Sequence, residues 1–245
     1  MRDSSVTVIM GTLNEIDGMK WFMPRLKKEW YDELIIVDGG SNDGTIEYCK
    51  ENGYPIFIQS GRGLPNAYDE AFKRCIGDIV VTITPDGNSV PELIPQLVEK
   101  ICQGFDMIIA SRYLGKAKSE DDDLFTAFGN RMFTALINFL FRAHYTDTLI
   151  GLRAYRRQAI EAMCLFDQDK QGWLKRRFFE MNSWEGAASI RAAKLKLKIC
   201  ETPGDEPRRI GGRRKLSIVR NGFGMLFQIF HELIIGCNFT KYKPK

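Results

Sequence analysis

The sequence predicts an α/β protein with a mostly parallel sheet covered by helices on both faces. Three observations carry this reading. Apolar runs alternate with helix-like stretches through the first 115 residues, the runs are unbroken rather than interleaved with polar residues, and each is followed by a short loop of small, acidic or amide residues. Unbroken apolar strands are those buried on both faces, as in parallel sheets. Parallel neighbours need crossover connections, and the intervening helices supply them.

Taken in order, residues 6–10 read as a buried strand, followed by a polar loop and a helix-like stretch over 16–30. Residues 34–37 form a second apolar run, 45–52 a helix and 54–58 a short strand. Residues 65–75 read as a helix with Pro65 in its first turn, where the missing N–H leaves no bond unmade. Residues 79–84 are rich in β-branched side chains and read as a fully buried strand, 90–102 as a helix and 107–110 as another strand. The pattern changes after residue 115. Residues 116–123 form a charged link, 124–143 a helix with an apolar face and 154–163 a further helix. Residues 194–200 alternate Lys with Leu or Ile, the habit of a half-exposed strand. The chain then turns at Pro203-Gly204 and runs through a basic loop into a last amphipathic helix.

The 245 residues, 44% of them hydrophobic, supply one sizeable core and too little for two ordinary domains. A formal charge of +4 argues against a general polyanion binder, so no nucleic-acid partner is expected. The positive charge is uneven, however. Arg208, Arg209, Arg213, Arg214 and Lys215 fall within eight residues, which fits a solvated loop or a seat for phosphate or anionic lipid. The six cysteines are scattered with no CxxC pair, which disfavours a zinc knuckle and suggests free thiols. No signal peptide is expected, because Met1 leads into a polar stretch and then a strand. No uninterrupted apolar stretch reaches the roughly 18 residues of a spanning helix. The apolar runs over 133–141 and 223–237 read as core packing or as helices lying on a membrane face, with core packing slightly ahead.

In a sheet of this kind the ligand sits beyond the carboxyl ends of the strands. The residues there are Gly11-Thr12-Leu13-Asn14-Glu15, Asp38-Gly39-Gly40-Ser41-Asn42-Asp43-Gly44, Ser60-Gly61-Arg62-Gly63, Pro85-Asp86-Gly87-Asn88 and Ser111-Arg112-Tyr113. One such loop is ordinary turn chemistry; five on one edge point to a polar ligand. Asp38 is placed to accept from a ribose hydroxyl or a base N–H, or else caps its own turn. Asp43 is better explained as a helix N-cap. Asp86 ends the most apolar strand and is placed for Mg2+ or Mn2+, hard ions that share oxygen ligands with substrate phosphates, and Asn88 adds a neutral oxygen. The competing reading of Pro85-Asp86-Gly87-Asn88 is a plain turn.

The order of these segments resembles a family 2 glycosyltransferase of the GT-A fold. The likeness lies in Gly11 to Glu15, in Ile36-Val37-Asp38 through Thr45, in Gly63-Leu64 before a helix, and in Gly77-Asp78 before the strand that ends at Asp86. Ala110-Ser111-Arg112-Tyr113, Asp147 with Gly151-Leu152-Arg153-Ala154-Tyr155, and Glu206-Pro207-Arg208 followed by Gly211-Gly212 and Lys215-Leu216 resemble the dolichol- or polyprenyl-phosphate mannose synthase branch. The segments run through nearly the whole chain. The resemblance implies an inverting transferase that uses Mg2+ or Mn2+ and a UDP- or GDP-linked sugar. Residues 1–115 would bind the donor, and 116–245 would bind the acceptor, within one continuous domain.

It also implies roles. Thr12, Asn14, Glu15, Asp38, Ser41 and Gly63 would contact the nucleotide sugar. Asp86 would match the last carboxylate of the family's metal motif and Asn88 a following amide ligand. Arg112, Arg131, Thr134, Arg208, Arg213 and Lys215 would hold phosphate of donor or acceptor. Two positions depart from the pattern: Thr84 replaces the first carboxylate of the motif, and Gly39 the second acid after Asp38. A polyprenyl phosphate acceptor is already anionic and needs no base, whereas a saccharide hydroxyl does. Glu180 and the run Glu120 to Asp123 are candidates, although the run also fits a solvated loop and Glu180 a helix pair with Arg176 or Arg177. Asp86, Arg112 and Glu180 are thus the expected catalytic residues. The polyprenyl phosphate is the favoured acceptor, and the expected location is the cytoplasm or the inner face of a membrane. The alternatives are transfer to a saccharide in cell-surface glycan synthesis and a non-catalytic nucleotide-sugar-binding protein. A nucleotidyltransferase or dinucleotide oxidoreductase is disfavoured, because no Gly-rich basic loop or GxGxxG follows the first strand.

Overall fold

The computed structural model describes residues 4–166, 183–211 and 218–242. Its centre is a seven-stranded sheet in the order β3-β2-β1-β4-β6-β5-β7, formed by β1 (Val6–Thr12), β2 (Glu33–Asp38), β3 (Ile56–Ile58), β4 (Ile79–Ile83), β5 (Met107–Ser111), β6 (Arg153–Arg156) and β7 (Ile199–Pro203). All neighbours run parallel except β6, which is antiparallel to both β4 and β5. The helices are α1 (Ile16–Phe22), α2 (Thr45–Glu51), α3 (Leu64–Phe72), α4 (Ile94–Cys102), α5 (Leu124–Phe141), α6 (Arg157–Met163), α7 (Trp184–Lys194) and α8 (Ile218–Ile235).

The sheet is apolar on both faces, as the unbroken strands require. Along β1, Val6, Val8 and Met10 enter one core with Phe22, Ile36 and Leu97, while Ile9 enters the other with Val37, Tyr68 and Trp184. The expected helix over 16–30 is shorter. Pro24 interrupts it, and the chain continues as two 3-10 turns, Met23–Arg25 and Lys28–Trp30. Residues 90–102 likewise begin as a 3-10 turn, Pro91–Leu93, before α4.

Two expectations in the second half need correction. Residues 154–163 are half strand and half helix: β6 holds 153–156, and only Arg157–Met163 is helical. Arg153 is fully buried there and donates to the carbonyls of Ile150, Thr148 and Glu185 and to Ser189 Oγ, so its charge is absorbed by oxygen acceptors. The Lys/Leu alternation at 194–198 is the end of α7 and its exit turn, with Lys196 left-handed at φ 53°, and β7 starts only at Ile199. Residues after 115 thus supply β6 and β7 to the same sheet as the first half.

Core packing is the slightly favoured expectation for the two apolar runs, ahead of a membrane-facing helix. Their helices, α5 and α8, pack on one another and bury one stripe each, including Phe133, Ile137, Met225 and Ile229. The opposite stripe faces outward. Leu124 is 88% exposed, Phe125 80%, Phe128 70% and Phe139 81%, and on α8 Phe223, Phe230, Leu233 and Ile234 are also exposed. The helix pair therefore carries a second apolar face that the described residues do not cover.

Candidate active site

Thr12, Asp38, Asp86 and Arg112 all lie where β1, β2, β4 and β5 end, so the topology brings them to one rim. The loops after β1 and β2 are stitched together. Asp38 is fully buried and accepts from the N–H groups of Gly40 and Ser41, each at 2.7 Å, and from Ser41 Oγ at 2.6 Å. Ser41 Oγ also accepts from the Asn14 N–H at 2.7 Å, and Asn14 Oδ1 accepts from the Asn42 N–H at 2.8 Å. Asn14 itself is left-handed, at φ 50°. Asp38 thus builds the turn, as its alternative reading had it. Asp43 accepts from Thr45 at the start of α2 and from the Ile16 N–H at the start of α1, serving two helix ends. Gly63 precedes α3 at φ 84°, a backbone only glycine adopts without strain. Thr12 Oγ1 is buried and makes no hydrogen bond, an orphan hydroxyl at the rim.

Asp86 is 5% exposed. Its Oδ1 accepts from Thr84 Oγ1 at 3.2 Å, and its Oδ2 pairs with Arg209 Nη2 at 2.8 Å. Burial lifts its carboxyl above the ordinary range, although the Arg209 charge pulls the other way. Arg209 also reaches Glu15 Oε1 at 3.4 Å. α1 presses on the same loop: a Cβ on Gly18 would lie 2.1 Å from the Pro85 carbonyl oxygen and 3.0 Å from Asp86 Cα. Gly18→Ala is therefore expected to cost about 1–3 kcal/mol through forced displacement of this loop. Thermal unfolding would show the loss, and calorimetry would show weaker donor binding in parallel.

The next cluster differs from expectation. Arg112 is 6% exposed and aims its fork inward. Nε donates to Asp147 Oδ2 at 2.7 Å, Nη2 to Asp147 Oδ1 at 3.0 Å, and Nη1 to Glu206 Oε2 at 3.3 Å, with Asp122 3.8 Å away. A guanidinium held this way positions loops from four parts of the chain, and its hydrogen-bonding edges are not turned to a phosphate. Burial pushes Asp147 up, but Arg112 outweighs it and the carboxyl lies below the usual range. Burial raises Glu206, with Arg112 opposing. Thr134 is also buried, its hydroxyl 2.9 Å from that of Thr148, so it faces the interior and not an acceptor. The Asn88 side chain turns to Glu206 Oε1 at 3.5 Å rather than to Asp86, and only its backbone N–H serves Asp86.

Arg131 is exposed on α5, over the Tyr113 ring at 5.5 Å, and Arg208 is exposed beside Arg209. Glu180, Arg213 and Lys215 lie outside the described residues. Sequence reasoning did not single out Arg209 from its basic run. The signal existed only as the resemblance of the Glu206-Pro207-Arg208 segment; what selects Arg209 is the return of residues 206–211 over the end of β4. Tyr113 was named only within a motif, yet its hydroxyl donates to Asp122 and accepts from Asn130 Nδ2 at 3.1 Å, tying α5 to the rim.

Among the described residues no three His, Cys, Asp or Glu side chains converge as a metal cage. The donor set still suits a hard ion shared with a substrate. Asp86 offers a carboxylate at the strand end, and Mg2+ is commonly held by one or two carboxylates together with substrate phosphates and water.

This sheet order, with ligand-type loops at one rim and a single antiparallel strand inside, is that of the GT-A fold. The structure superposes on glucosyl-3-phosphoglycerate synthase of Mycobacterium tuberculosis with a TM-score of 0.66 at 19% identity, covering 96% of this chain and 81% of that one. A complex of that enzyme with Mn2+ and UDP-glucose gives a TM-score of 0.63 at 20% identity, over 96% of this chain and 80% of that one. At such identity the likeness establishes the fold.

Residues 7–164 match the sequence profile of glycosyl transferase family 2, and the chain belongs to that family. It is 28% identical over 173 residues to an undecaprenyl-phosphate 4-deoxy-4-formamido-L-arabinose transferase of Pectobacterium atrosepticum, covering 65% of this chain and 51% of the relative. It is 25% identical over 225 residues to glycosyltransferase AglJ of Haloferax volcanii, covering 91% of this chain and 70% of that protein. The chain thus spans about half the length of the first of these relatives.

Proposed function

We propose that this glycosyltransferase moves a sugar from a nucleoside diphosphate to a polyprenyl phosphate at a membrane surface. One observation carries the acceptor assignment: the outward apolar face of α5 starts at the rim. Asp122 contacts Arg112 and Tyr113, and Leu124, Phe125 and Phe128 follow within six residues, all strongly exposed. A lipid chain laid on that face would carry its phosphate toward the strand ends, with Arg131 and Arg208 exposed nearby for the anion. The names of relatives that act on undecaprenyl phosphate support the same reading.

The chemistry asks little of the protein beyond positioning. A phosphate oxygen of the acceptor attacks the anomeric carbon, the bond to the nucleoside diphosphate breaks, and the configuration inverts. The nucleophile is already ionised near neutral pH, so no side chain need take a proton. Thr12 and Glu15 would meet the nucleoside, and Asp86 with the donor's own phosphates would hold a divalent ion. Bound there, such an ion neutralises charge on the departing diphosphate. The pair Asp147–Arg112 would act by keeping the loops in register.

The test is transfer of radiolabel from a panel of UDP- and GDP-sugars to a polyprenyl phosphate in detergent or vesicles. Labelled lipid in the organic phase is the expected product. Label that reaches only a saccharide acceptor would overturn the lipid reading. The apolar face gives a second expected result. Each buried Phe contributes about 1.5–3 kcal/mol. The double variant Phe125→Ser, Phe128→Ser should therefore lower partition onto anionic phospholipid vesicles by about tenfold or more, measured by co-sedimentation.

A further inference from the structure

We propose that Arg209 is the resident counter-cation of Asp86, and that a divalent ion binds by taking its place. The inference rests on the reading that Asp86 receives such an ion. Asp86 is buried at the rim, and an ionised carboxylate in that position needs a countercharge. Arg209 supplies it at 2.8 Å and spans to Glu15 at 3.4 Å. With Thr84 standing where the family pattern has another acid, Asp86 is the lone carboxylate of this motif. A guanidinium and a divalent ion held by one buried carboxylate repel each other at that range, so each weakens the other's binding. The two occupants therefore compete for Asp86.

The resting arrangement is also incomplete. Arg209 Nε is buried and makes no hydrogen bond, so the guanidinium sits in a pose that leaves one donor unused. The exchange has a mechanical consequence, since Arg209 belongs to a segment fastened over the same loop. The Ile210 N–H donates to the Asp86 carbonyl at 2.8 Å, a Cβ on Gly87 would lie 2.6 Å from Ile210 Cγ1, and one on Gly211 would lie 2.8 Å from the Asp17 carboxylate. An ion that removes Arg209 from Asp86 takes away the charge that holds residues 209–211 down. Loading of the donor site is thereby coupled to release of a segment whose next residues are basic.

Two measurements test this without turnover. The first is Mn2+ binding followed by electron paramagnetic resonance of the free ion, with no nucleotide and then with UDP or GDP, for the wild type, Arg209→Gln and Asp86→Asn. Arg209→Gln is expected to bind Mn2+ about tenfold tighter than the wild type, within the usual range of coupling between two ligands of one site, and Asp86→Asn to lose the site. Equal or weaker binding in Arg209→Gln, with the site still lost in Asp86→Asn, overturns the exchange and leaves the metal reading standing. No binding to the wild type even with nucleotide overturns both. The second uses only the wild type, so it does not depend on a variant folding. Addition of Mn2+ should speed hydrogen exchange at the Ile210 amide by about tenfold or more through opening of its bond to Asp86. An unchanged or slower exchange at saturating Mn2+ overturns the proposal.

Discussion

Asp86→Asn is expected to lower kcat/KM for the nucleotide sugar by about 10²–10³, the usual effect of removing one preorganised electrostatic group from a site where charge develops. The amide is almost the same shape, and it relieves the desolvation that lifts the Asp86 carboxyl. Arg209 is partly exposed and keeps Glu15 at 3.4 Å, so the unfolding temperature should move less than for a fully buried pair, and the main loss should fall on turnover and donor binding in the presence of Mn2+. Steady-state kinetics beside a thermal melt would separate the two. A variant that melts normally and turns over normally would make Asp86 a structural partner of Arg209 and remove it from the donor site.

Asp147→Asn has the largest expected effect on stability. Asp147 is fully buried and accepts from Arg112 Nε and Nη2 as well as from the N–H groups of Leu149 at 3.1 Å and Ile150 at 3.2 Å. The variant leaves the Arg112 charge beside Glu206 and Asp122 only. Breaking a buried pair on one side costs about 3–5 kcal/mol. For a chain of this length that lowers the melting temperature by roughly 10 °C. The same group sets an acid limit. Its folded carboxyl lies below the ordinary range, so its contribution is present above about pH 4 and is lost as pH falls through the folded value. Glu201 and Glu206 have the opposite sign. Burial raises both, so their contribution is complete below their unfolded values and is lost as pH rises through the folded ones. Melting temperatures between pH 3 and 8 should accordingly show a shallower acid limb in Asp147→Asn than in the wild type.

The two halves of the chain differ in how far their sequence could be read. In the first half each strand is buried by contacts that its own residues announce: Ile36-Val37 and Val80-Val81 are apolar on consecutive positions because both sheet faces are covered. In the second half the residues of β6 read as the start of a helix over 154–163, and a charged Arg153 opens the strand; the acceptors that make that arginine tolerable lie on Thr148, Ile150, Glu185 and Ser189, and no local pattern reveals them. The rim follows the same division. Asp38 and Asp86 are legible from strand ends alone. The inward turn of Arg112 depends on carboxylates at 122, 147 and 206, brought together only by folding. The helix over 124–143, with its apolar run at 133–141, and the amphipathic run at 223–237 are legible as helices. Which stripe looks outward is not, because phenylalanines occupy both sides of α5.

Glu232 on α8 is buried without exposure and receives Arg191 Nε at 3.0 Å, Arg191 Nη2 at 2.8 Å and Lys194 Nζ at 2.8 Å, all from α7. Arg191 also donates to the carbonyls of Met163 and Cys164 at the end of α6. The outward-facing helix is thus riveted to the body at its far end, by bonds that share no residue with the rim. A load on α8 would pass through α7 into α3 and α6, the helices on which α7 also packs, and so bypass the rim loops.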